Sequence, residues 1–288
     1  MKKTIRSGID FLIHSNLFIA VAAAAQAALT YLLIQEEAQS HVLWLLFFST
    51  LFIYNLSPVM KPMAEVQGMQ SPRNHWLYTH QAASRFLFML SIPGMALCLW
   101  YTSLPGLLCL GLLGVCSFFY AYPFIYIQGR KRNLREFPGL KLFLIGLVWA
   151  GSSVLFPLIE SHADLSVRNT LILVFKRFLF VVAITIPFDI RDMYDDREYN
   201  LKTIPVMFGE KASRYFCLLL MLLCLLLFSF YDLERSLPVY LGLSATILLS
   251  AYLVFISSLK RSPYYYFVFL DGMLIAQYLI VLGCTRLW

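Results

Sequence analysis

Charge is scarce in this sequence. Only 14% of its 288 residues are Asp, Glu, Lys or Arg, against about 25% in a soluble domain. Hydrophobic residues make up 60% and the mean hydropathy is +0.71, a balance that excludes a soluble globular protein. A Walker phosphate loop, a strand-borne GxGxxG and a CxxC pair are all missing, so no nucleotide site or zinc site is visible. The six cysteines all fall within apolar segments and read as buried thiols rather than a disulfide framework. The histidines lack metal-ligand spacing, and His75 and His80 read as solvated neighbours in one loop. With no composition break or low-complexity tract, residues 1–288 form a single polytopic membrane domain.

What is present is a series of long apolar runs. They occupy roughly 9–34, 41–60, 84–102, 105–126, 140–159, 169–188, 212–231, 237–258 and 264–284, and most approach or exceed the roughly 20 residues of a spanning helix. The predicted fold is therefore all-α, with about nine transmembrane helices. Of the 23 basic residues, all but Arg168, Lys176, Arg177, Arg235 and Arg286 flank one side of that array. The positive-inside rule then puts the N-terminus inside and the C-terminus outside. The net charge of +7 is thus topological, and nucleic acid is not expected as a partner.

The first run begins after MKKTIR and contains AAAAQA, which also fits a cleaved signal peptide. His14, Ser15 and Asn16 interrupt its apolar core, so we read a retained alanine-rich helix that packs closely on its neighbours. Gly106, Gly111 and Gly114 in the fourth run are expected to allow similar close contact.

The connections on the basic side, at roughly 61–83, 127–139 and 189–211, are the long and polar ones, so chemistry is expected there. The last opens with DIRDMYDDREYN, immediately after the sixth run. On a helix continuing that run, Asp189, Asp192 and Asp196 fall at about 0°, 300° and 340°, a single stripe. Stacked carboxylates repel each other unless a hard cation sits among them. Mg²⁺ suits such a place, because it keeps several waters and is held by one or two carboxylates plus substrate phosphates. The alternative is a solvated acidic loop balanced by Arg191, Arg197 and Lys202. Beyond the stripe, NLKTIPVMFG returns a positive charge at Lys202, and Pro205 and Gly209 are expected to end the element.

The run DIRDMYDDREYNLKTIPVMFG resembles the second aspartate-rich motif of the UbiA superfamily of intramembrane prenyltransferases, D-x-x-D-x-x-x-D followed by a Lys/Arg-Thr-[Leu/Ile]-Pro-Val-x-x-Gly stretch. It matches through Lys202, Thr203, Pro205, Val206 and Gly209. FFYAYPFIYIQGRKRN resembles the family's tyrosine-then-basic stretch, and GLKLFLIGLVWAG its fifth helix. The resemblance implies a UbiA-type bundle that binds an isoprenoid diphosphate through Mg²⁺ on Asp189, Asp192 and Asp196. It further implies transfer of the prenyl group to a lipophilic acceptor among membrane lipids. Asn55, Arg73, Lys131, Arg132 and Lys202 would orient the diphosphate, and Tyr120 would either give the cavity an aromatic face or sit in the interface belt, as helix-end tyrosines more often do. Asp271, about seven residues into the ninth run, would either line the cavity or pair with a basic group of a neighbouring helix. A prokaryotic inner membrane, with the acidic stripe on the cytoplasmic side, is the location it suggests.

The first acidic motif of that family, N-D-x-x-D-x-x-x-D, is degenerate here. Its place reads YNLSPVMKPMAEVQG, where Asn55 is kept, Glu65 is the sole carboxylate, and no aspartate occurs between Asp10 and Asp164. Two readings follow. In one, Arg73, Lys131 and Arg132 supply the charge that a lost metal would have given. In the other, the chain keeps the fold as an isoprenoid- or lipid-binding or transport protein, with a polar intramembrane site at Asp271 and Arg177. Ionisable residues within spans are costly and point to function; Asp271, Lys176 and Arg177 are the instances here.

Overall fold

The computed structural model describes residues 2–60, 76–77, 79–121, 125–127, 130–132, 134, 137, 139–198, 201–231 and 237–287, with side chains except at 2–6, 57–60, 121, 125–127 and 130–132. The first apolar run does not form one helix. It divides into α1 (Lys2–His14) and α2 (Leu17–Ile34), because Asn16 takes a left-handed backbone, φ 66°. The polar break is buried and bonded across to α3 (Ser40–Met60). Asn16 Nδ2 donates to Asn55 Oδ1 at 3.1 Å, and Asn55 Nδ2 donates back to the Ser15 carbonyl at 3.2 Å.

The helices α4 (Gln81–Trp100) and α5 (Leu104–Ala121) follow. The fourth run was expected to stay helical to about residue 126. Instead its last predicted residues are extended, and a small hairpin pairs β1 (Ile125–Ile127) with β2 (Arg130–Arg132). Next come α6 (Leu140–Ser161), α7 (Val167–Arg191), the short α8 (Met193–Glu198), α9 (Ile204–Phe228), α10 (Leu237–Phe255) and α11 (Tyr265–Leu287). Seven of the described helices are long and apolar enough to cross a membrane: α2, α4, α6, α7, α9, α10 and α11. The apolar helices α3 and α5 occupy the other two predicted runs.

Pro205 does not close an element, as the sequence had suggested. It sits in the first turn of α9, where a missing N–H costs nothing. Gly209 then kinks that helix at φ 84°, ψ 166°, a conformation open essentially to glycine alone.

The bundle is organised around α7, which packs on α6 and α9, while α2 joins α3 to α11 and α10 lies against α11. The main core draws Phe180, Ile184 and Ile186 of α7 together with Cys217 and Met221 of α9, Ile247 of α10, and Tyr266 and Leu274 of α11. Small side chains let α2 approach closely; Ala20, Ala22 and Ala27 are fully buried. Polar groups go inward too, among them Gln26, Thr30, Thr246 and Gln277, while Leu97, Leu112 and Trp100 stand exposed on the outside. Apolar outside and polar inside is the inverse of a water-soluble bundle, and with the seven long helices it marks an integral membrane protein.

Of the three glycines in the fourth run, Gly106 alone makes a tight contact, against Glu160; Gly111 and Gly114 face open space. The six cysteines are all free, as the sequence implied.

Candidate active site

Three aspartates gather where α7 ends. The helical hydrogen-bond path runs on past Arg191, with Asp192 N donating to the Phe188 carbonyl at 3.0 Å and Asp196 N to the Asp192 carbonyl at 2.8 Å. Asp189, Asp192 and Asp196 therefore share one face of a nearly continuous helix, as their spacing predicted. Asp189 is 1% exposed and Asp196 9%, whereas Asp192 is half-buried.

Each carboxylate has a different environment. Asp189 accepts a hydrogen bond from Lys141 Nζ, which reaches across from the start of α6. Asp192 is held bidentately by the adjacent Arg191, through Nε at 2.7 Å and Nη2 at 2.8 Å. Asp196 Oδ2 is buried and has no hydrogen-bond partner among the described residues. Burial pushes the Asp196 carboxyl above the usual carboxylate range; Lys141 and Thr203 oppose this, and the nearby Asp189 and Asp192 charges add to it.

The Arg191 guanidinium lies over three rings, Phe188 at 5.2 Å, Phe267 at 5.2 Å and Tyr266 at 5.5 Å. Asp271 is the carboxylate on α11 that interacts with it electrostatically. Tyr266 and Phe267 belong to a π-helical turn, Tyr265–Leu270, that leads into Asp271. The aromatic wall continues from Phe267 to His14 and from His14 to Trp76. At its far side Tyr264 Oη donates to Asp10.

The remaining sequence-based candidates are scattered. Asn55 is fully buried, and its amide is used by Asn16, Ser15 and Leu51 at the α1–α2 junction. Tyr120 is half-buried on α5 and lies close enough to Lys141 to interact with it electrostatically. Lys202 is exposed in the connection between α8 and α9. Arg73 lies outside the described residues. Lys131 and Arg132 belong to β2, opposite Tyr126 and Ile125, with side chains outside the described set.

Lys176 and Arg177 do not join the stripe. Arg177 lies twelve residues before Asp189 on the same helix, roughly 18 Å away. It donates to Gln26 Oε1 and, at 3.3 Å, to Thr30 Oγ1. The Lys176 ammonium sits 4.4 Å from the centre of the Phe228 ring.

Two residues of the site escaped the sequence reading. Lys141 counts there only as a topology signal, and Arg191 only as part of the balance of a solvated acidic loop. A cation one residue inside an apolar helix was the available clue to Lys141. No local signal marks Arg191 beyond its adjacency to Asp192.

The donor set suits a hard divalent cation, since it offers carboxylate oxygens only and one of them is buried without a partner among the described residues. The present pairing is nevertheless with Lys141 and Arg191. No three His, Cys, Asp or Glu groups converge as metal ligands among the described residues.

Against this geometry, the UbiA prenyltransferase family profile matches residues 76–273. The chain belongs to the UbiA prenyltransferase family. The UbiA match includes the aspartate stripe and both of its cations, and leaves out residues 1–75, where Asn55 and the altered first motif lie. Solved structures share the fold. A UbiA homologue from Archaeoglobus fulgidus bound to GPP and Mg²⁺ aligns with a TM-score of 0.64 at 12% identity, covering 96% of this chain and 99% of the other. The apo UbiA homologue from Aeropyrum pernix K1 aligns at 0.66 and 14% identity, over 93% and 97% of the two chains. A structure described as digeranylgeranylglyceryl phosphate synthase in membranes aligns at 0.61 and 14% identity, over 99% and 100%. No curated protein sequence matches this UbiA family member.

Proposed function

We propose that this protein transfers a prenyl group from an isoprenoid diphosphate to a lipophilic acceptor within the bilayer. The observation that carries the reading is the stripe Asp189, Asp192 and Asp196, two of them buried and Asp196 Oδ2 without a hydrogen-bond partner among the described residues, at the end of a UbiA-type bundle. The two Archaeoglobus fulgidus homologue structures bound to GPP or DMAPP with Mg²⁺ support it at the level of the fold.

Asp189, Asp192 and Asp196 would hold Mg²⁺, which when bound offsets the charge that grows on a departing diphosphate. The chain's own cations work in the same direction. Lys141 and Arg191 stand beside the carboxylates, and Lys202 is exposed in the connection that follows. Arg73, Lys131 and Arg132 complete this basic set in our reading, with Asn55 behind it. Fixed cations stabilise a leaving group because they need no reorganisation as its charge develops. The allylic C–O bond breaks with both electrons going to the diphosphate oxygen. The rings of Phe188, Tyr266 and Phe267, which hold Arg191 beside Asp271, would exclude water that quenches the resulting cation, and Tyr120, close to Lys141, would offer it an aromatic face. A nucleophilic carbon or hydroxyl of the acceptor then supplies the electron pair for the new bond and loses a proton. We place the acidic end at the cytoplasmic face of a prokaryotic inner membrane.

The test is a titration of the purified protein with geranylgeranyl diphosphate, with and without Mg²⁺, for the wild type and Asp192→Asn. The reading expects magnesium-dependent binding that the substitution weakens at least tenfold. Binding indifferent to both metal and substitution would overturn it.

One observation favours a second reading. Asp189 and Asp192 are already neutralised within the chain, so an isoprenoid- or lipid-binding or transport protein needs no metal there. Such a protein would bind the lipid with equal affinity with and without magnesium.

A further inference from the structure

Three carboxylates on the stripe face two resident cations, Lys141 and Arg191. The two pairings differ in kind. Arg191 grips its own neighbour Asp192 near the surface, and aromatic rings hold its guanidinium on three sides. Lys141 comes from a different helix and ends on Asp189, the most buried carboxylate of the three. Its ammonium also acts on Asp196, whose Oδ2 lacks a hydrogen-bond partner among the described residues. Lys141 thus pairs with Asp189 and acts electrostatically on Asp196, the two deepest carboxylates of the stripe and the ones that would hold a divalent cation.

We propose that Lys141 is a tethered counter-ion that a divalent cation must displace from Asp189, so that metal binds this stripe together with a diphosphate and poorly before it. This inference rests on the prenyl-diphosphate reading of the same site. The charges explain the order of events. Three carboxylates, Lys141 and Arg191 leave a single negative charge, to which Asp271 beside Arg191 adds a second, a modest attraction for a divalent ion that must also push an ammonium aside. A diphosphate anion changes the balance, because the displaced ammonium gains a phosphate oxygen as its new partner. The lysine stem is flexible, and the Lys141 side chain is 27% exposed against 2% for Asp189, so the lysine is the partner nearer to solvent. The exchange is conservative: metal takes the Asp189 oxygen, and Lys141 takes the diphosphate.

The test uses Mn²⁺, which prefers the same hard oxygen ligands, titrated into the full-length detergent-purified protein. Free Mn²⁺ is followed by electron paramagnetic resonance, with and without inorganic diphosphate, for the wild type, Lys141→Met and Lys141→Gln. In the wild type, diphosphate should tighten Mn²⁺ binding at least tenfold. The two variants should bind Mn²⁺ alone at least tenfold more tightly than the wild type, with the added effect of diphosphate falling below threefold. A lysine with a packing role alone would weaken both measurements together, so equal or weaker Mn²⁺ binding by the variants overturns the proposal. A measurement on the wild type covers the case in which neither variant folds. Acylation of the Lys141 amine, mapped by mass spectrometry, should rise with saturating Mn²⁺ and fall again when diphosphate is added; no change on adding metal overturns the proposal. Tighter metal binding by the variants without any geranylgeranyl diphosphate binding by the wild type would uphold displacement and sink the transferase reading. Prenyl diphosphate binding with no effect of Lys141 on metal would do the reverse.

Discussion

Arg191 binds Asp192 through two parallel hydrogen bonds, Nε at 2.7 Å and Nη2 at 2.8 Å, while Phe188, Tyr266 and Phe267 box its guanidinium. The pair joins α7 to the π-helical turn of α11, so the end of the stripe is held from two helices. A lysine keeps the charge and loses both the bidentate geometry and the planar stacking. Arg191→Lys is expected to destabilise the protein by about 1–2 kcal/mol, mainly through the lost cation–π contacts, since a partly exposed ion pair contributes little by itself. Thermal unfolding in detergent measures this. An unchanged apparent Tm would show that the aromatic box does not depend on the guanidinium.

Asp196 sets a pH dependence. Its carboxyl is raised above the ordinary value of 3.8 by burial, with Asp189 and Asp192 adding to that and Lys141 and Thr203 opposing it. The folded protein therefore binds this proton more tightly than the unfolded chain does. The stability it contributes is full below pH 3.8 and is lost as pH rises through the higher folded value. Without metal, Asp196→Asn should remove that loss and be at least as stable as the wild type at pH 7. Metal affinity should run the opposite way in the wild type, rising with pH as the carboxylate ionises. Apparent Tm from pH 4 to pH 8 tests the first claim, and parallel curves for the two proteins would contradict it.

Far from the stripe, Glu160 fastens the opposite end of the bundle. Its carboxylate accepts from Ser103 Oγ at 2.6 Å, Ser103 N at 3.1 Å and His41 Nε2 at 3.2 Å, and its carbonyl accepts from Gln39 Nε2 at 3.0 Å. Gly106 is the residue that lets it sit there, because an added Cβ would run into Glu160 Oε1. Gly106→Ala should cost about 1–3 kcal/mol through overpacking. Gly111→Ala, in open space on the same helix, should be within about 0.5 kcal/mol of neutral. Thermal unfolding of the two variants provides the comparison, and equal stability would show that Glu160 relocates freely.

Arg177 separates the two functional readings. It bonds to Gln26 and Thr30 on α2, and Gln26 Nε2 in turn donates to the Leu274 carbonyl on α11 at 2.6 Å. Arg177→Met breaks a buried network joining three helices and should cost about 2–4 kcal/mol. At roughly 18 Å from Asp189, it should leave magnesium-dependent diphosphate affinity within twofold of the wild type. A large loss of lipid binding without loss of stability would instead place a ligand at Arg177.

The membrane class, the all-helical architecture and the aspartate stripe were legible from the sequence by itself. Each depends on local pattern: the length and periodicity of an apolar run, and the angular spacing of Asp189, Asp192 and Asp196 on one helix. The helix break at Asn16 was half-legible, since His14, Ser15 and Asn16 stood out as polar; their partner Asn55, 39 residues away from Asn16, did not. The approach of Lys141 to Asp189 across 48 residues, and of Ser103 to Glu160 across 57, were decided only when the helices packed. A periodic pattern says which face of a helix is buried. Which ionisable groups from different helices meet there depends on helix rotation and packing, which no local window of sequence contains.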